Sequence, residues 1–146
     1  MENREKKRLL NSYRHLVRQE KILKDALIYN REMYLAGSPK YDGMPHGSTQ
    51  KDLSEYVVKA ESLSDELQMV MAEKHEKLRE INRALDEMTN DKERTLLMMV
   101  YIGGYSWAKV AKEMAIIDRR DHPYSYRHVT RLHGSALAHF NPGVKE

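Results

Sequence analysis

Cysteine is absent from the 146 residues, which excludes disulfide staples, thiolate zinc sites and cysteine nucleophiles. Such usage suits a reducing compartment. Phenylalanine and tryptophan occur once each, and apolar residues make up 40% of the chain. That is too little for a thick sheet-and-helix core but enough for amphipathic helices. The longest apolar stretch, Thr95 to Ile102, falls far short of a bilayer span. No apolar segment follows Met1-Glu2-Asn3-Arg4-Glu5, so no secretion signal is expected. The expectation is a soluble, cytoplasmic chain.

Charge is abundant and unevenly placed. Residues 1–31 hold nine Lys/Arg against four Asp/Glu, residues 52–93 six against twelve, and residues 94–146 eight against four. Four of the seven histidines lie in the last stretch. A basic–acidic–basic layout fits a nucleic-acid-binding end, two helices of opposite sign folded together, or both.

Nothing alternates with a period of two, so the fold class is all-α. From residue 3 to about 36 the chain has neither Pro nor Gly, and Leu9, Leu16 and Leu23 recur every seventh position. Tyr13, Leu27 and Tyr34 lie between them, with Glu20 and Asn30 interrupting the stripe. A connector over 37–49 carries three Gly and two Pro, and Ser48 or Thr49 is placed to cap the next helix. This second long helix is expected over 50–88. One of its apolar series contains Leu53, Ala60 and Leu67, the other Val57, Leu63 and Val70, as in a coiled-coil arm. The two helices are expected to pack antiparallel, as domain 1–89, and a homodimer through this arm is the favoured assembly.

Residues 90–146 read as a separate unit of three short helices, 91–102, 106–116 and 126–140. Ser106 caps a helix whose stripe is Trp107, Val110, Ala111 and Met114; Ser125 caps another whose inward stripe is Val129, Leu132, Ala136, Leu137 and Phe140. Trp107 and Leu132 are therefore expected in the core. The other face of the last helix shows Tyr126, Arg127, His128, Thr130, Arg131 and His133. A helix N-terminus carrying such side chains suits phosphates and base edges. The bland alternative is the solvated face of a small bundle.

The segment Ser106-Trp107-x-x-Val110-Ala111 followed by Ser125 and Val129-x-x-Leu132-x-x-x-Ala136-Leu137 resembles the −35-reading C-terminal domain of bacterial sigma factors. Tyr101-Ile102-Gly103-Gly104-Tyr105-Ser106-Trp107 through Leu137 resembles phage late-gene activators of the ArpU/RinA type, as do the connector Tyr41 to Gly47 and the helix after it. The resemblance implies a helix-turn-helix domain and sequence-specific binding of double-stranded DNA upstream of phage packaging and structural genes, in the host cytoplasm, with RNA polymerase as a further possible partner. One departure is the turn, which runs from 117 to 125 where a helix-turn-helix uses about three or four residues. Arg119 and Arg120 within it are placed either to grip phosphate or to remain in a solvated loop.

The candidate DNA-binding set is thus Ser125, Tyr126, Arg127, His128, Thr130, Arg131, Arg119, Arg120 and Lys109. No cofactor or metal is expected: His128 and His133 stand five apart, on different helix faces. No phosphate loop or catalytic motif occurs, so an enzyme is not expected. A small-terminase-like packaging protein and a coiled-coil adaptor without DNA binding are the competing function classes.

Overall fold

The computed structural model describes residues 1–36 and 49–143, with the backbone alone at 49–52. Five helices hold them: α1 (Asn3–Ala36), α2 (Thr49–Asp86), α3 (Asp91–Leu97, continuing as a π-helical turn Met98–Ile102), α4 (Trp107–Ile117) and α5 (Tyr126–His139). No strand occurs among the described residues, and none of their helices is long and apolar enough to cross a membrane. The connector and the Ser48 or Thr49 cap lie outside the described side chains.

The chain forms two compact units: Leu16–Glu73, and Met1–His15 together with the chain from Lys74 onward. In the first, the hairpin, the end of α1 meets the start of α2. Tyr34 stacks on Tyr56 with ring centroids 4.4 Å apart, and Asn30 Nδ2 donates to the Tyr56 carbonyl at 3.3 Å, so the helices run antiparallel.

The second unit, the head, has a closed apolar core. Leu10 of α1, Ile81 of α2, Leu96 and Leu97 of α3, Val110 and Met114 of α4, and Val129 and Phe140 of α5 are buried there. Local chemistry fixes where its helices begin. Asn90 Oδ1 accepts from the amides of Lys92 and Glu93, at 3.0 and 3.2 Å; Ser106 and Ser125 each accept from the amide three residues on. At the other end of α3 the turn widens, and the Gly103 amide reaches the Met98 carbonyl at 2.8 Å, five residues back. A β-carbon on Gly103 would sit 3.0 Å from the Met99 carbonyl oxygen, and Gly104 has φ +69°, so both positions favour glycine.

Candidate nucleic-acid interface

Two polar clamps set the position of α5 within the head. Glu93 is buried, and its carboxylate accepts from Ser135 Oγ at 2.5 Å and from His139 Nδ1 at 2.6 Å, tying α3 to α5. Lys6 is also buried, and its ammonium donates to the carbonyls of Leu137 and Ala138 at 2.8 and 3.2 Å. A cation at the last carbonyls of a helix complements its dipole as well as its hydrogen bonding.

His133 does not lie on the exposed face. It is buried, its Nε2 is 2.8 Å from the Tyr101 hydroxyl, and Trp107 meets its ring edge-on at 5.0 Å. Burial, aided by the charge of Lys7, lowers its pKa to about 4, while burial pushes Tyr101 up to about 12. The sequence did hold a signal, since position 133 is four after Val129 and four before Leu137, inside the apolar stripe. Trp107 and Leu132 are half-buried at the edge of the core rather than at its centre. Phe140, the last residue of that stripe, is fully buried.

With His133 withdrawn, Tyr126, Arg127, His128 and Arg131 are exposed and Thr130 is half-buried. The Thr130 hydroxyl donates back to the Arg127 carbonyl at 3.0 Å, and Ser125 Oγ accepts the His128 amide at 3.1 Å. Ser125 therefore shapes the helix end rather than projecting from it. Arg127 and Arg131 are one turn apart and continue into Gly134 and Ala138, so the outward row is two cations followed by two small residues. A β-carbon on Gly134 would have nothing within 4 Å. No acidic residue occurs on α5.

The long turn before α5 is organised around Tyr124. Its ring stacks on His128 at 4.5 Å, Arg120 lies over it at 4.1 Å, and its hydroxyl donates to Asp118. Lys92 closes the group with a 2.6 Å ion pair to Asp118, whose carboxyl is held below its ordinary pKa by Lys92 first and Tyr124 second. The Tyr124 amide reaches back to the Ala111 carbonyl on α4 at 3.3 Å, and the Arg120 amide caps the Ala115 carbonyl at 2.8 Å. Arg119, exposed, has φ 56°. Lys109 is exposed on α4 with its ammonium 3.9 Å from the Tyr105 ring centroid. Arg119, Arg127 and Arg131 have no ion-pair or ring partner among the described residues.

A family model described as "Protein of unknown function (DUF1492)" matches residues 35–131, from the end of α1 into α5. No curated protein and no solved structure matches the chain. With two thirds of its length inside that model, the chain belongs to the DUF1492 family.

Proposed function

We propose that the chain is a sequence-specific, double-stranded-DNA-binding transcription regulator that reads DNA with α5. The supporting observation is the outward row of α5: Arg127 and Arg131 one turn apart, Gly134 and Ala138 beyond them, and no acid on the helix. Two guanidiniums at that spacing suit guanine edges or phosphates, and the small residues let the rest of the helix lie close to a groove wall. Tyr126 and His128 flank the row, and Arg119, Arg120 and Lys109 supply charge beside it for the phosphate backbone. The ArpU/RinA resemblance extends the proposal to phage late genes in a bacterial host cytoplasm.

Footprinting on the DNA that surrounds the coding gene, followed by titration of the protected site, tests this. Arg131→Ala should weaken binding to that site by about 1–3 kcal/mol and random DNA much less, if the side chain makes a bidentate base contact. Arg120→Ala should weaken both alike and lower the salt slope by about 0.9 for each phosphate that the guanidinium neutralises. Absence of any protected site, with Arg127→Ala and Arg131→Ala neutral on random DNA, would remove α5 from DNA binding.

A further inference from the structure

The hairpin has an apolar side that its own two helices leave uncovered. Val17, Ile28 and Leu35 on α1, and Leu53, Val57 and Met71 on α2, are each 39–57% exposed. Five of the six directly follow a buried or half-buried residue of the seam between the helices: Leu16, Leu27, Tyr34, Tyr56 and Val70. One step along an α-helix turns a side chain by about 100°. The sense of that turn reverses when the helix runs the other way. On an antiparallel pair, the two rows therefore emerge on the same side. On α2 the row is a heptad seam in its own right, Leu53, Val57, Ala60, Ser64, Leu67 and Met71, with alternating steps of four and three and no charged residue.

We infer that a second copy of this chain docks on that side, hairpin on hairpin, with α1 of one copy over α2 of the other. Charge selects both the occupant and the orientation. Within the hairpin, Lys21, Lys24 and Arg31 alternate with Val17, Ile28 and Leu35 along the same row of α1, while Glu20, Asp25 and Glu32 stand off that row; from residue 53 to 73 α2 has five acids and a single Lys. Stacking α1 on α1 would set those three cations against their own copies, while α1 on α2 faces them with the acidic helix. A two-fold axis along the helices produces that arrangement with every neighbour antiparallel, as in a four-helix bundle. The row spans about 27 Å at a rise of about 1.5 Å per residue. Two helices about 10 Å apart make the side roughly 20 Å wide, so two copies cover on the order of 1,000 Å², the lower bound for a specific interface.

Sedimentation of the full chain at micromolar concentration should give a dimer. Ile28→Glu combined with Val57→Glu should weaken self-association about tenfold or more. Ile22→Glu combined with Met69→Glu should leave it unchanged, because each of those exposed residues directly precedes a seam residue, Leu23 or Val70, and so turns to the opposite side. A cross-linking measurement stands even where a charged variant loses helix. Because the chain has no cysteine, the single variants Ile28→Cys and Ser64→Cys can be mixed and treated with a short bismaleimide. The mixture should yield a hetero-cross-linked pair, and Ile28→Cys alone should yield little. A monomer at micromolar concentration, a dimer indifferent to the Ile28 and Val57 changes, or cross-linking confined to Ile28→Cys with itself would each overturn the inference.

Discussion

At the scale of single residues, the head depends on polar groups placed where an apolar pattern leads one to expect none. His133 is buried as a neutral ring against Tyr101, with its pKa lowered to about 4. In the unfolded chain it titrates near its ordinary value, so below about pH 6.5 the unfolded state binds a proton that the folded state refuses. Stability should therefore be full above that pH and fall progressively toward pH 4, by up to about 3 kcal/mol. Tyr101 acts at the alkaline end: its proton is held to about pH 12 when folded, so its contribution is lost as pH rises from about 10. Urea titrations at pH 4.5 and 7.5 should show the acid loss, and His133→Leu should flatten it; an unchanged pH dependence in that variant would assign the loss to other groups. Lys6 makes a parallel case. Lys6→Met keeps the stem but leaves the buried Leu137 carbonyl and the part-buried Ala138 carbonyl with less hydrogen bonding, a cost of about 1–3 kcal/mol in the same titration.

Among the elements, the helices were legible and several of their partners were not. Asn90, Ser106 and Ser125 announce their helix starts because capping is local chemistry, and the seven-residue series marks both long helices because burying one face imposes a period. The interactions that orient α5 are nonlocal. Lys6 is 131 residues from Leu137 and Glu93 is 46 from His139, separations over which no pattern of spacing informs. Leu132 and Phe140 show the same limit: both fit the stripe of α5, yet only Phe140 is fully buried. Phe140→Ala should cost about 3–5 kcal/mol, and Leu132→Ala clearly less than the full cost of a buried leucine. Equal losses in thermal unfolding would mean that the packing around position 132 is tighter than described. The outward face of α5 and its Ser125 cap were legible from the helical period and local capping chemistry, except that His133 belongs inside. In the turn, Asp118→Asn weakens the ion pair to Lys92, so amide exchange at 119–124 should quicken while the core amides keep their protection; uniform protection would show the turn is held by its backbone bonds alone.

For the whole molecule, the contrast between the two units leads to a prediction about cooperativity. The head buries Phe140, Leu10, Ile81, Leu96 and Val110 completely. In the hairpin, only Leu16 and Glu20 are buried among the side chains described. Two helices alone bury little apolar surface, and burial is what offsets the entropy of ordering them. The hairpin should therefore unfold at a lower temperature than the head, and heat unfolding should not be two-state. The sole tryptophan gives a way to separate the two events. Trp107 lies in the head beside His133 and Tyr126, so its emission reports that unit, whereas far-ultraviolet circular dichroism reports helix in both. Ellipticity should fall in two steps, with only the second accompanied by the change in Trp107 emission. If hairpins pair as inferred, the first step should also move upward with protein concentration, because association stabilises only the folded form, while the second stays fixed. Two steps with a concentration-independent first midpoint would keep the weak hairpin and reject its pairing. Coincidence of both signals at every concentration would show that the chain unfolds as one cooperative body, and the thin core of the hairpin would then need a different source of stability.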